Sequence, residues 1–151
     1  MTLPLFVYGS LRDAAVFALA AGRRMPPARP ARAIGRAAVA MPGRDYPGLA
    51  ARIGVAAEGL LLFGLTPADL RRLDRFEGDE YARLPVDVLS GGRWRRAQAY
   101  LPLVPLAAGE RAWSFAAWRR NQKPRFLVRE RRTAALQARR LPALDGPEPT
   151  A

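Results

Sequence analysis

Short apolar segments rich in strand-forming residues recur through the first hundred positions of the chain. Each is only a few residues long and is bounded by turn-forming or polar positions, which is typical of β-strands. The pattern predicts strands within residues 3–8, 33–41, 55–65, 81–89 and 93–103. The last two are joined by "SGG", which favours a hairpin turn.

Apolar residues at helical spacing occur at two places among these strands and then through most of the last third of the chain. A first helix is predicted over residues 12–22 and ends at Gly22. A second begins at "TPAD", where Thr66 and Asp69 can form a capping box with Pro67 in the first turn. Two more helices are predicted in residues 110–121 and 125–141. The segments between, residues 23–32 and 42–50, contain several prolines and glycines and are predicted as loops.

Strands therefore precede most of the helices, without regular strand–helix alternation. This order favours an α+β fold, with a small mixed β-barrel-like sheet flanked by helices, over a doubly wound fold. We expect one domain over residues 1–140, followed by a disordered tail over residues 141–151.

Two absent residue types narrow the possible chemistry. The 151 residues contain no cysteine and no histidine, which excludes thiol nucleophiles, Ser–His pairs and the usual zinc ligands. Lys123 is the one lysine, so nearly all positive charge is arginine, which stays protonated and is no ordinary base. An acid–base enzyme with this composition would carry its proton on a carboxylate, with tyrosine or Lys123 as distant alternatives.

The formal net charge of +12 raises the question of a nucleic-acid partner. The arginines are scattered along the chain, however, and its frequent Ala, Arg, Pro and Gly indicate a general compositional bias. We therefore do not favour nucleic-acid binding. No apolar segment is long enough for a membrane span, and the N-terminus lacks the features of a signal peptide, so the expected location is the cytoplasm and no membrane partner is expected.

More than half of the carboxylates lie between residues 58 and 87. Asp69 is expected to cap a helix, Asp74 to be exposed, and Glu80 to pair with Arg83 on the surface. Glu77 follows the last apolar residue of a helix, where a carboxyl group can be held near the core and its pKa raised. From spacing alone a solvated Glu77 is the commoner case, and Glu58, in an apolar strand, is the rival buried carboxylate.

Two motifs in a fixed order carry a resemblance to a known family. "FVYGSLR" lies near the N-terminus, and "LDRFEGDEYARLPVDV" follows some seventy residues later, before "AQAYLP". Together they resemble the gamma-glutamylcyclotransferase-like family (gamma-glutamylcyclotransferase and gamma-glutamylamine cyclotransferase), over roughly residues 3–120. Taken alone, the Gly9–Ser10 pair favours a simple strand-to-helix turn.

The resemblance implies a small barrel with flanking helices and a cofactor-independent enzyme. Tyr8, Gly9, Ser10 and Leu11 would line a substrate-binding loop, Glu77 would be the catalytic glutamate, and no metal would be needed. Such enzymes cyclise a γ-glutamyl amide or amine to 5-oxoproline and release the attached amine. Further residues are interpreted as candidates for the pocket wall, or, for the two arginines, for holding a carboxylate: Tyr46, Tyr81, Tyr100, Trp113, Arg12 and Arg83.

Two alternatives stay open at this point. The first is a non-catalytic module on the same fold that binds a small metabolite or a nucleic acid. The second, and the weaker, is a Ser–Lys hydrolase that uses Ser10 and Lys123. Lys123 stands between Gln122 and Pro124 in a predicted loop, where it would be solvated and charged.

Overall fold

Five strands close into a barrel in the computed structural model, which describes residues 3–44, 46–104, 106 and 111–140, without the side chains of residues 134 and 137–140. The strands are β1 (Leu5–Val7), β2 (Ala28–Ala40), β3 (Pro47–Leu62), β4 (Tyr81–Ser90) and β5 (Arg93–Pro102). Their order around the barrel is β1-β3-β2-β4-β5. β1 pairs with β5 in parallel and every other pairing is antiparallel, so the predicted mixed, barrel-like sheet is confirmed.

Four helices flank the barrel: α1 (Ala14–Ala21), α2 (Pro67–Glu77), α3 (Phe115–Asn121) and α4 (Lys123–Arg140). Two short 3₁₀ turns, Ser10–Arg12 and Gly78–Glu80, precede α1 and follow α2. The capping box is confirmed: the Thr66 hydroxyl accepts from the Asp69 amide at 3.1 Å, and the Asp69 carboxylate accepts from the Thr66 amide at 2.9 Å. The expected tail over residues 141–151 lies outside the described residues.

The loop predicted over residues 23–32 is shorter than expected, because β2 begins at Ala28. Within β2, Ala31 and Ala33 are buried while Arg32 and Ile34 are exposed, which is the two-residue period of a strand. Proline and arginine concealed that period at the level of sequence. β3 also begins earlier than predicted, at Pro47 inside the second predicted loop.

Two apolar clusters hold the fold together. One fills the barrel and includes Phe6, Leu61 and Val88, each fully buried. The other packs buried side chains of α1, α2 and α3 against the outer face of β1, on the side of Leu5 and Val7. The helices therefore cover this face of the barrel, and the chain that follows β1 contributes residues to both clusters.

Asp13 connects that chain to three helices. It is 4% exposed, and its carboxylate accepts from the amides of Ala15 and Val16 at 3.0 and 3.2 Å, which caps α1. The same carboxylate accepts from Lys123 Nζ at 2.7 Å and pairs with Arg119 Nε at 3.3 Å. Burial acts to raise the pKa of Asp13, but the hydrogen bonds from Lys123 and the α1 amides outweigh it and lower that pKa.

The expectation that Lys123 is a solvated loop residue is therefore wrong. Lys123 is the first residue of α4, and its ammonium group is held by Asp13, which the chain brings to it from 110 positions away. Because Lys123 donates to Asp13, its amino group is not placed as the base of a Ser–Lys pair with Ser10.

We predict that Asp13→Ala destabilises the protein by about 2–3 kcal/mol, because it removes a helix cap and leaves Lys123 without its partner. Urea unfolding at pH 7 measures this. The pKa of Asp13 is lowered in the folded state, so its contribution is present at neutral pH and is lost as the pH falls below about 4. The difference between wild type and variant should narrow there.

The matched control is Asp87→Ala, which removes an ion pair with Arg96 whose two side chains are 60% and 59% exposed. Such a pair contributes less than about 1 kcal/mol. Equal losses of stability in the two variants would contradict the role given to Asp13.

Candidate functional site

A narrow cavity of about 30 Å³ lies where β1 leaves the barrel. Its walls are residues 6–11, Tyr46, Pro47, Glu77, Tyr81 and Tyr100. All six residues assigned to the site from the sequence, namely Tyr8, Gly9, Ser10, Leu11, Glu77 and Tyr81, thus face one space. Of the further wall candidates, Tyr46 and Tyr100 line the cavity as well.

The loop from Gly9 to Arg12 is a tight helical turn against β3. The amides of Arg12 and Asp13 donate to the carbonyls of Gly9 and Ser10 at 3.1 and 3.0 Å. The amides at the start of such a turn have no acceptor within the turn itself. A side chain at Gly9 would place Cβ 3.0 Å from Pro47 Cγ, so glycine allows the loop to lie close to β3.

Glu77 is the last residue of α2, and Gly78 turns the chain sharply after it. Gly78 has φ +75°, a backbone conformation that favours glycine, and its amide donates to the Asp74 carbonyl. Although part of the Glu77 surface is accessible, protein atoms surround its carboxyl group. This burial raises the pKa of Glu77 from 4.5 to about 8, and within the described part of the chain no cation or hydrogen-bond donor offsets it.

Three tyrosines stand around Glu77, and each donates its hydroxyl proton elsewhere. Tyr8 donates to the carbonyl of Tyr100, Tyr81 to the carbonyl of Pro47 at 2.6 Å, and Tyr100 to the carboxylate of Asp74 at 2.6 Å. Burial raises the pKa of all three tyrosines, and the neighbouring Glu77 contributes to each shift. The three phenols are therefore neutral and fixed, and Glu77 is the titratable group of the cavity near neutral pH.

Several carboxylates outside the cavity differ from expectation. Asp74 is 41% exposed but engaged, since Arg83 donates to it at 2.9 and 3.2 Å in addition to Tyr100. Glu80 pairs with Arg44 at 3.1 Å and accepts from Tyr46, so the predicted partner Arg83 is wrong. Glu58 is exposed on β3, so it is not the rival buried carboxylate.

Three other candidate residues have their contacts elsewhere. Arg83 is held by Asp74 and by Gln98, and Arg12 lies over the Phe115 ring at 4.4 Å. Trp113 lies outside the cavity wall and packs on Phe115. Sequence reasoning also missed Pro47, whose carbonyl fixes Tyr81. The only available signal was its place in a turn-rich segment next to Tyr46.

From Glu77 the cavity widens into a groove of about 300 Å³, which we call the α4 groove. It shares Ser10, Tyr46, Glu77 and Tyr81 with the cavity. Its other walls are Phe76, Glu80 and three residues of α4, namely Phe126, Arg129 and Glu130. Glu77 thus lies at the junction between a narrow inner space and a wider outer one.

The described residues contain no group of three or more carboxylates placed to hold a metal ion. Among the helices described, none is both long and apolar enough to cross a membrane.

Comparison with known proteins identifies the family. The family model "Gamma-glutamyl cyclotransferase, AIG2-like" matches residues 5–120, and the chain belongs to this family. The chain is 32% identical over 143 residues to AIG2-like protein C of Arabidopsis thaliana, with 91% of this chain and 80% of the relative covered. It is 30% identical over 128 residues to AIG2-like protein A of the same plant, with 82% and 76% covered.

Solved structures share the fold. A solution structure of an Arabidopsis thaliana protein matches with a TM-score of 0.64 and 27% identity, covering 83% of this chain and 86% of that one. A structure titled "Gamma-glutamyl cyclotransferase" matches with a TM-score of 0.58 and 16% identity, covering 68% and 67%. These matches confirm the fold class, and the family supports a cyclotransferase-like enzyme.

The raised pKa of Glu77 predicts a specific dependence of stability on pH. Between about pH 5 and pH 8 the folded protein keeps a proton that the unfolded chain has released, so this group makes the fold less stable as the pH rises. Glu77→Gln replaces the carboxyl group with an amide that does not titrate, so the variant lacks this dependence on pH. The free energy of unfolding of the variant, relative to that of wild type, should therefore increase by up to about 1.4 kcal/mol for each pH unit in this window.

Urea unfolding of both proteins at pH 5, 6, 7 and 8 measures the gain. The control is Glu58→Gln, which makes the same chemical change at an exposed position and should keep a constant difference from wild type. A constant difference for Glu77→Gln would mean that Glu77 titrates as an ordinary solvated carboxyl group.

Proposed function

We propose that the protein is a γ-glutamyl cyclotransferase, which converts a γ-glutamyl amide to 5-oxoproline and releases the amine, with Glu77 as general acid and base. The observation that carries the proposal is the buried Glu77 carboxyl group, with a pKa of about 8 in a cavity whose four tyrosine hydroxyls are already hydrogen-bonded. Family membership supports the same class of reaction.

The reaction needs two proton transfers at two nitrogen atoms. The α-amine of the γ-glutamyl group attacks the side-chain carbonyl carbon, which forms the ring C–N bond. The bond from that carbon to the departing nitrogen then breaks. Glu77 takes a proton from the attacking amine and gives it to the departing nitrogen, so the carboxylate is restored at the end of each turnover.

A carboxyl group with a pKa near 8 is suited to both transfers. It is basic enough to accept a proton from an attacking amine and still acidic enough to return it near neutral pH. An ordinary glutamate, with a pKa near 4.3, would be a much weaker base. The neutral tyrosines Tyr8 and Tyr81 supply no competing charge.

In this proposal the Gly9–Leu11 loop, which lines the same cavity as Glu77, binds the negatively charged groups of the substrate. Gly9, Ser10 and Leu11 line the cavity. In the proposed reaction their backbone amides donate to the substrate carboxylate or to the oxygen that becomes negative as the ring closes. Because the attacking and accepting atoms belong to one substrate molecule, much of the entropy of orientation is already supplied. The reaction requires no metal, cofactor or nucleophilic side chain.

We predict that wild type releases 5-oxoproline from at least one compound in a panel of γ-glutamyl amino acids and γ-glutamyl amines. Glu77→Gln should lower kcat about 10²–10⁴-fold, because it removes the positioned acid and base. Chromatographic assay of 5-oxoproline measures both. In wild type, kcat/KM should rise with pH up to about pH 8, as Glu77 loses its proton.

Glu58→Gln, at an exposed site on β3, is the matched control and should keep wild-type activity. Equal rates for wild type and Glu77→Gln would remove Glu77 from the mechanism. If no compound yields 5-oxoproline but γ-glutamyl compounds bind in calorimetry, the alternative of a non-catalytic binding module replaces the proposal.

A further inference from the structure

The outer wall of the α4 groove comes from a part of the chain that the family match does not include. That match ends at residue 120, whereas Phe126, Arg129 and Glu130 belong to α4. The helix is held in place by the Lys123–Asp13 ion pair. It is also held by the Phe126 ring, which meets the rings of Trp118 and Phe76 at centroid distances of 5.6 and 6.1 Å. Phe76 directly precedes Glu77, so α4 lies against the end of α2.

The charged residues of the groove differ in whether they have a partner of opposite charge. The carboxylate of Glu80 is held by Arg44 and Tyr46. Glu130 also lines a neighbouring surface pocket, in which Arg72 and Arg75 provide positive charge. Arg129 lies over the Phe126 ring at 5.8 Å, and no carboxylate among the described residues pairs with it. Its guanidinium group is therefore the cation of the groove that is available to a ligand.

We propose that Arg129 binds a carboxylate carried by the departing amine, so that the enzyme selects γ-glutamyl amides of amino acids over γ-glutamyl amides of uncharged amines. This inference rests on the proposed function. It assigns the two spaces beside Glu77 to the two halves of one substrate. The γ-glutamyl half occupies the cavity beside the Gly9–Leu11 loop, and the departing half extends past Glu77 into the α4 groove.

The position of Glu77 supports this division. Its carboxyl group must contact both the attacking and the departing nitrogen, and it lines both spaces. The departing group therefore enters the groove at the Glu77 end. The Arg129 guanidinium group, which lines the same groove, can then form charge-assisted hydrogen bonds with a carboxylate.

The test compares two substrates that differ only in that carboxylate, γ-glutamylalanine and γ-glutamylethylamide. Arg129→Gln should lower kcat/KM for γ-glutamylalanine about three- to tenfold, which is the range for a charge-assisted contact that is partly open to solvent. The loss should appear mainly in KM, because the contact is made in the bound substrate and in the transition state alike. Turnover of γ-glutamylethylamide should change less than about twofold.

Two variants serve as controls. Arg131→Gln makes the same change of charge two residues further along α4, at an exposed position outside the groove walls, and should keep the wild-type preference. Arg129→Lys keeps the charge and should restore part of the preference, and added salt should weaken the preference in wild type.

Two results would overturn the inference while leaving the proposed function intact. They are an unchanged ratio of kcat/KM between the two substrates in Arg129→Gln, and an equal change of that ratio in Arg131→Gln. The proposed function fails in a different way, through absence of 5-oxoproline from every γ-glutamyl compound with wild-type protein.

Discussion

The buried carboxylate of Asp13 joins the parts of the molecule from which the site is built. It directly follows the turn that lines the cavity, it caps α1, and it holds Lys123 and Arg119 of the two last helices. A carboxylate with so little exposure is stable only when its charge is compensated. The cations that compensate it bring α4 to the mouth of the cavity, so the loop, α1 and α4 keep their relative positions through one side chain.

Asp13 and Glu77 show how surroundings decide what a carboxyl group can do. Burial acts to raise the pKa of each. At Asp13, donors and cations overcome that effect and the group stays ionised, which suits a structural role. At Glu77 no such compensation exists within the described residues, and the pKa rises to about 8. Glu77 has no such cation although the chain has a net charge of +12, so the described arginines lie away from its carboxyl group.

Features that depend on neighbouring residues could be predicted from the sequence. The capping box of α2 lies within four residues, and the glycine after Glu77 is explained by a local turn. Features that depend on distant pairing could not be predicted. Lys123 was expected to be solvated because its partner is 110 positions away. The Asp74 side chain is 41% exposed, in line with expectation, but its hydrogen bonds were not predicted because its partners, Arg83 and Tyr100, come from β4 and β5. Glu58 was misjudged because its apolar neighbours concealed an outward-facing position on β3.

The division of the site between two parts of the chain has a physical consequence. The cavity and Glu77 are built on the barrel and on α2, whose side chains also form the apolar clusters, so most changes there would affect folding. The α4 residues of the groove are partly or fully exposed and are attached through Asp13 and a few aromatic contacts. Substitution at such positions costs little stability. If the proposed function holds, selectivity for the departing group can therefore change through α4 without disturbing Glu77, the proposed acid and base.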